Sequence, residues 1–319
     1  MKKAILHYRA GPVLRRSLAD HPPEGWKVVV IEEDDDATFE SQIADADVLL
    51  HVLRPVSRKD MERAPKLKLI QKIGVGVDTI DLDAAAELGI GVSNMPGTNS
   101  NAVAELAIGL MLAVLRQISI LDGATRAGNG WALPPERLER SGEIGGRTVG
   151  FLGFGEVPRR IAPALSALGA KLIYHDRSEH KGFGAEPCSL EEVIVKADIL
   201  SLHLPLTDLT RHIIDAETIA RMRDGAILIN TARGGLVDEQ ALAEALTKGK
   251  LLGAGLDVFN EEPVRVGHPL LSLPNVVATP HVAWLTPETI MRSLNVAFEN
   301  ARRAIAGESL LNEIRPGRR

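Results

Sequence analysis

Three apolar runs late in the chain end in polar residues that together can move a proton and hold an anion. The segment ILINTARGGLVDEQAL closes its run at Thr231 and presents Arg233 ahead of two glycines. GAGLDVFNEEP closes at Val258 and presents Glu261 and Glu262, and VVATPHVAW presents His281 just after Pro280. A histidine is the usual proton donor and acceptor near neutral pH. A carboxylate beside it fixes its tautomer and favours its charged form. A guanidinium grips a carboxylate or a polarised carbonyl with a planar fork of donors. Taken singly, a loop arginine or glutamate is an ordinary surface group, and one histidine among nine means little. Their weight comes from falling at the ends of successive strand-like runs, because open α/β sheets bind ligands at the carboxyl ends of their strands.

Upstream, GRTVGFLGFGEVPRRIAPALSALGAKLIYHDRS has the form of a nucleotide-binding βαβ unit. Thr148–Leu152 supplies a strand, Gly153-Phe154-Gly155 a tight turn, residues 159–168 an amphipathic helix, and Lys171–His175 a second strand ending in Asp176. Small residues at the turn let backbone N–H groups approach a pyrophosphate, and the helix start adds partial positive charge. A carboxylate at Asp176 accepts both ribose hydroxyls of an adenosine and repels a 2′-phosphate, which favours NAD over NADP; Arg177 next door works the other way. The third glycine of the pattern is replaced by Pro158. First-turn N–H groups lack intrahelical partners, so proline is sterically tolerable there. The expectation is a helix set slightly farther from the strand and a modestly altered cofactor affinity. An Arg, a Glu and a His beside a nicotinamide ring then cover what hydride transfer asks of a protein: positioning, a proton and charge stabilisation.

The elements that must position these groups follow from rhythm. Short β-rich runs alternate with helical patterns throughout, which predicts parallel sheets with crossover helices. In the first third, strands are expected at residues 4–7, 28–32, 48–53, 67–73 and 91–94, with helical segments at 60–63 and 81–88. The acidic run 32–36 reads as a solvated strand-to-helix turn. A single long helix is expected from about residue 101 to 120, so evenly apolar that two domains or a second subunit must cover it. After a turn region at 128–135, six strands beginning at Thr148, Lys171, Ile199, Ala226, Gly253 and Val276 make one doubly wound sheet. A last helix, Pro287–Ala306, is placed to return to the first domain, and the basic tail 315–319 reads as a frayed end.

Composition sets the outer bounds. At 319 residues two domains are expected, and 45% hydrophobic with 25% charged residues describes a globular chain, not a disordered or collagen-like one. A net charge of -5 argues against a nucleic-acid scaffold. The single cysteine, Cys188, forms no intramolecular disulfide, and no Cys/His cluster has zinc-ligand spacing, so no metal is expected. The start MKKAILHYRAGPVLRR lacks the ~7–15 apolar residues of a signal peptide. The apolar stretch 102–115 contains Glu105 and falls short of the ~20 residues of a membrane span, so the reading is cytoplasmic, without membrane or nucleic-acid partners.

With GFGEV…HD, HLPLTDLTRHII, INTARGGLVDE, LDVFNEEP and TPHVAW assembled, and GVGVDTIDL and NSNAVAEL in the first half, the chain resembles the D-2-hydroxyacid dehydrogenases. That family includes phosphoglycerate, glycerate and D-lactate dehydrogenases, and the resemblance spans nearly the whole chain. It implies an α/β protein of two doubly wound parallel-sheet domains. A Rossmann cofactor domain, residues 99–285, is inserted in a flavodoxin-like substrate domain, residues 1–98 and 286–319. It implies NAD as cofactor, a small 2-keto or 2-hydroxy acid as substrate, and a homodimer formed through the cofactor domain. His281 becomes the general acid in reduction and the base in oxidation, Glu262 its partner with Glu261 a solvent neighbour, and Arg233 the holder of the substrate's carbonyl oxygen and carboxylate. Cofactor contacts are implied at Gly153, Gly155, Glu156, Val157, Asp176, Val103, His203, Pro205, Thr210, Thr231, Ala232 and Asp257. Gly74, Val75 and Gly76 would offer backbone N–H groups to the substrate carboxylate. Arg54 is either a contact for a substrate phosphate or carboxylate, or a surface charge.

The same resemblance narrows the substrate. Glu262 stands where formate dehydrogenases carry glutamine, and Thr98 where D-lactate dehydrogenases place an aromatic residue. Trp284 after His281 is typical of glycerate dehydrogenases, also called hydroxypyruvate reductases. Hydroxypyruvate or glyoxylate is therefore favoured over 3-phosphoglycerate and its keto acid. The alternative of another class is an NAD(H)-sensing binding protein of the C-terminal-binding corepressor type, which shares the fold and a similar triad. The lack of a partner-binding extension disfavours it.

Overall fold

A βαβ rhythm of short apolar runs forces crossover connections, and every strand pairing in both sheets is parallel. The computed structural model describes residues 1–20 and 22–315; residues 316–319 of the basic tail lie outside the described residues. The chain divides into two units: unit 1 is Met1–Asn99 with Thr286–Arg319, and unit 2 is Ser100–Leu285.

Unit 1 carries β1 (Lys2–His7), β2 (Trp26–Ile31), β3 (Val48–His51), β4 (Leu69–Lys72) and β5 (Gly91–Ser93) in the order β2-β1-β3-β4-β5, the flavodoxin-like arrangement. β3 and β4 are buried along their whole length, as strands covered on both faces must be. Register sets His7 beside His51 and His51 beside Lys72, so polar residues close three adjacent strands. The acidic run is a turn whose Asp35 caps the helix Asp36–Ile43 by accepting the Thr38 N–H at 3.0 Å. The helix Pro287–Ala306, capped by Thr286 and stopped by a left-handed Gly307, packs on β4. Its buried Asn300 donates to Gln71 Oε1 at 2.7 Å and Ser93 Oγ at 2.9 Å, and accepts the Leu311 N–H at 2.8 Å.

Unit 2 carries β6 (Thr148–Leu152), β7 (Lys171–His175), β8 (Ala185–Pro187), β9 (Ile199–Leu202), β10 (Ala226–Asn230), β11 (Leu251–Leu256) and β12 (Val276–Ala278). Their order, β12-β11-β10-β9-β6-β7-β8, makes a Rossmann sheet of seven strands where the sequence pattern predicts six. The extra strand, β8, lies at the sheet edge with Glu186 and Pro187 exposed. An edge tolerates proline, and three residues without apolar alternation leave no periodic signal.

The helix expected at residues 101–120 is two helices, Ser100–Leu115 and Ile118–Arg126, bent by 63°. At the break Gln117 takes a left-handed φ of 52°, and its side-chain amide donates to Arg137 O at 2.9 Å and Ser141 Oγ at 3.2 Å. No glycine or proline marks this point; a partner some twenty residues downstream makes it. Ser100–Leu115 packs on β10, β11, β12 and the helix Glu156–Ala167, all in its own unit. Among the described residues, no single helix is long and apolar enough to cross a membrane.

Candidate active site

The fingerprint turn begins where β6 ends. Gly153 has φ +86°, and a Cβ there would sit 2.5 Å from the His203 carbonyl oxygen, so both conformation and space demand glycine. Gly155 starts the helix Glu156–Ala167 without a side-chain cap, and a Cβ on it would meet nothing within 4 Å. The first turn thus faces open space with its N–H groups uncovered by any cap, the arrangement that receives phosphate. Pro158 is buried in that turn. Its missing N–H is one that a first helical turn leaves without an intrahelical partner, and Arg159 Nε donates to Phe154 O at 2.9 Å.

Asp176 follows β7 and accepts the Phe154 N–H at 2.6 Å and the Ser178 N–H at 3.1 Å, with His180 Nε2 at 3.6 Å. Burial alone would raise its carboxyl, but these bonds outweigh burial and hold it below its ordinary value. The group at the end of the second strand is therefore an ionised acceptor. Past β9, the His203 ring bonds Ser201 Oγ at 2.8 Å, and burial pushes its imidazole down to about 3, so it is neutral near pH 7. Thr210 Oγ1 donates to Pro205 O at 2.7 Å, and the Ala232 N–H donates to Asn230 Oδ1 at 3.0 Å. Val103 is buried in the helix Ser100–Leu115. Thr231 Oγ1, just past β10, is buried with no hydrogen-bond partner. An open glycine turn, an uncapped helix start, an ionised acid and an orphaned hydroxyl fit a dinucleotide.

His281 lies just beyond β12 with φ +52°, an uncommon backbone state for a residue other than glycine. Asp257, just past β11, supplies the restraint. Its carbonyl oxygen accepts the His281 N–H at 2.8 Å. Its fully buried carboxylate accepts Thr279 Oγ1 at 2.6 Å and the N–H groups of Val282 and Ala283, both at 2.9 Å. Burial pushes the Asp257 carboxyl up, opposed by those same bonds. The sequence reading names Asp257 only as a cofactor contact; the structure places its carboxylate on the backbone either side of His281.

His281 Nδ1 stands 2.6 Å from Glu262 Oε2, and Glu262 Oε1 accepts the Phe259 N–H at 2.9 Å. Both oxygens of Glu262 are thus fixed, while Glu261 points away to an exposed pairing with Arg265 at 2.7 Å. Arg233 precedes the short helix Gly234–Leu236, and its Nη1 donates to Ala232 O at 2.7 Å. A Cβ on Gly234 would run into the Phe259 backbone, so the Arg233 loop and the Glu262 loop lie in direct contact. The three strand-end segments therefore meet within unit 2.

Unit 1 holds the other expected contacts. The loop Gly74-Val75-Gly76 is pinned by the Met95 N–H on Gly74 O at 2.9 Å and Asn94 Nδ2 on Val75 O at 2.8 Å, with the Val75 side chain exposed. Arg54 is paired within unit 1. Its Nε and Nη2 contact Asp36 Oδ1 at 2.9 and 2.8 Å, Asp60 lies 3.6 Å from Nη1, and the guanidinium covers Phe39 at 4.7 Å. Among the described residues, no group of three or more His, Cys, Asp and Glu could hold a metal ion. Sequence reasoning missed Thr279 and Phe259, whose bonds to Asp257 and Glu262 are set by partners rather than by any local motif.

Comparison with known proteins agrees with this geometry. The family model described as D-isomer specific 2-hydroxyacid dehydrogenase, NAD binding domain, matches residues 108–283. The glyoxylate reductase of Aeropyrum pernix is 41% identical over 271 residues, covering 82% of this chain and 81% of that one. The hydroxypyruvate reductase of Thermotoga maritima is 41% identical over 254 residues, covering 78% and 82%. A solved structure, a glyoxylate reductase from Paecilomyes thermophila, is 32% identical with a TM-score of 0.82 over 100% of this chain and 99% of its own. These relatives favour the enzyme and lend nothing to the corepressor-type alternative.

Proposed function

The chain belongs to the D-isomer specific 2-hydroxyacid dehydrogenase family, NAD-dependent enzymes that interconvert D-2-hydroxy acids and 2-keto acids, and from that premise we propose that it reduces glyoxylate or hydroxypyruvate. The observation that carries the catalytic reading is the 2.6 Å contact of His281 Nδ1 with Glu262 beside the Arg233 loop. Bound NADH supplies the hydride to the keto carbon. Glu262 holds the proton on His281 Nδ1, so Nε2 is the nitrogen that donates a proton to the carbonyl oxygen in reduction and takes it back in oxidation. The Glu262 charge stabilises the imidazolium before transfer. Arg233 holds the substrate's carboxylate and its carbonyl oxygen, and Gly74, Val75 and Gly76 of unit 1 are assigned backbone N–H donation to substrate. Asp257 keeps His281 in its unusual backbone state.

Unit 2 is assigned the cofactor and unit 1 the substrate role. Gly153, Gly155, Glu156 and Val157 form the pyrophosphate cradle and Asp176 the ribose acceptor. Val103, His203, Pro205, Thr210, Thr231 and Ala232 are assigned as further cofactor contacts. Thr98 and Trp284 support a small polar acid, as do the activities named for the relatives. A phosphorylated acid is disfavoured because the charge of Arg54 is already matched by Asp36 and Asp60. A homodimer through unit 2 is supported by the helix Ile118–Arg126, which has no buried residue, and by Trp131, 90% exposed. A cytoplasmic site fits the lone thiol of Cys188.

The test is NADH oxidation, followed by absorbance, with hydroxypyruvate, glyoxylate, pyruvate, phenylpyruvate and phosphohydroxypyruvate, each repeated with NADPH. The highest kcat/KM is expected for one of the first two acids with NADH. Preference for the phosphorylated acid overturns the substrate reading, and strong preference for NADPH overturns the role of Asp176.

A further inference from the structure

Unit 2 holds a second histidine–glutamate pair that the mechanism above does not use. Glu239 opens the helix Glu239–Thr247, yet its side chain is only 16% exposed. One carboxylate oxygen accepts the Asn260 N–H at 2.8 Å and the other lies 3.2 Å from His268 Nε2. The His268 ring packs edge-on against Phe259, with centroids 5.9 Å apart. A glutamate serving only the helix dipole has no need of these bonds to a loop more than twenty residues away.

Phe259 and Asn260 are the turn that delivers Glu262. The Phe259 N–H holds one oxygen of Glu262, and the other meets His281. The same turn lies on Gly234, next to Arg233. A carboxylate accepting a backbone N–H is among the stronger hydrogen bonds available to a loop. A glutamate–imidazole contact of 2.6 Å depends steeply on where the turn sits.

We propose that Glu239, together with His268, is a positioning pair: it clamps the Phe259–Asn260 turn and so seats Glu262 against His281, without touching substrate or cofactor. This rests on the reading of His281 as the general acid. Loosening the clamp lowers the rate through Glu262, whose 2.6 Å contact with His281 is lost.

The experiment compares Glu239→Ala and Glu239→Gln in the reduction of the best keto acid near neutral pH. Glutamine keeps an acceptor for Asn260 and, with the other imidazole tautomer, a partner for His268. The alanine variant is expected to lose about 10- to 100-fold in kcat, as for a displacement of ~1 Å at a reacting centre. Its NADH dissociation constant, measured by fluorescence, stays within about twofold. Glutamine restores most of the rate. An alanine variant within about threefold of the parent in kcat, or a glutamine variant equally impaired, overturns the proposal. If Glu239→Ala does not fold, His268→Ala is read by the same criteria. His281→Asn separates the two levels: if that variant turns over within about tenfold of the parent, the catalytic reading fails, whatever Glu239 does.

Discussion

At the carboxyl edge of the unit 1 sheet, His7 and His51 stand side by side, each 1% exposed. At the corresponding edge of the unit 2 sheet, His281 is 22% exposed and bonded to Glu262. His7 stacks on Phe39 with centroids 4.3 Å apart and neither ring nitrogen has a hydrogen-bond partner, while His51 Nε2 bonds the Arg54 carbonyl oxygen at 2.7 Å. Burial, helped by Arg54, pushes His7 down to about 4, and burial, helped by Lys72, pushes His51 down to about 3. Both sheets thus bring imidazoles to their strand ends. What makes one of them a proton-transfer group is a carboxylate on one nitrogen and access to the other.

The largest effect should come from removing the exposed member. His281→Asn, chosen because asparagine tolerates the left-handed state, is expected to lower kcat by about 10²- to 10⁴-fold while NADH binding is retained. Turnover within tenfold of the parent breaks the comparison outright.

The buried pair predicts a different signature, in stability rather than rate. Their folded values lie below the ~6.5 of an unfolded histidine, so above that pH they contribute nothing to pH dependence. As pH falls below ~6.5, the unfolded chain takes up protons that the folded chain refuses, and stability drops by about 2 kcal/mol per histidine at pH 5. Urea midpoints at pH 7 and pH 5 measure the loss, and the double change His7→Gln and His51→Gln should shrink it. An undiminished loss in the double variant removes the pair from the account. The smallest expected effect belongs to Pro158→Gly, a shift in NADH affinity of about threefold, near 0.6 kcal/mol. Unchanged affinity in a fluorescence titration means that the proline does not displace the helix.

Where the chain carries a local signal, the sequence was enough to read it. The helix Pro287–Ala306 is bounded by its own cap and glycine, and polar residues closing apolar runs mark the strand ends that bear Arg233, Glu262 and His281. Features made by distant partners left no such trace. Gln117 breaks a helix because Arg137 and Ser141 receive its amide, and β8 exists because β7 offers an edge. The grip of Asp257 on the backbone around His281 and the pairing of Arg54 with Asp36 and Asp60 are likewise contacts across sequence. Residue type and spacing indicate what a group can do, and packing decides what it is tied to.

Asn300 has a consequence for the order in which the molecule is completed. It supplies the partner for Gln71 Oε1 from 229 residues downstream and for Ser93 Oγ from 207 residues downstream. During synthesis from Met1, every residue of unit 2 is made before the helix that covers β4 exists. Unit 1 is therefore the last to close, and until then β4 waits without its covering helix and two polar side chains wait without their native partner.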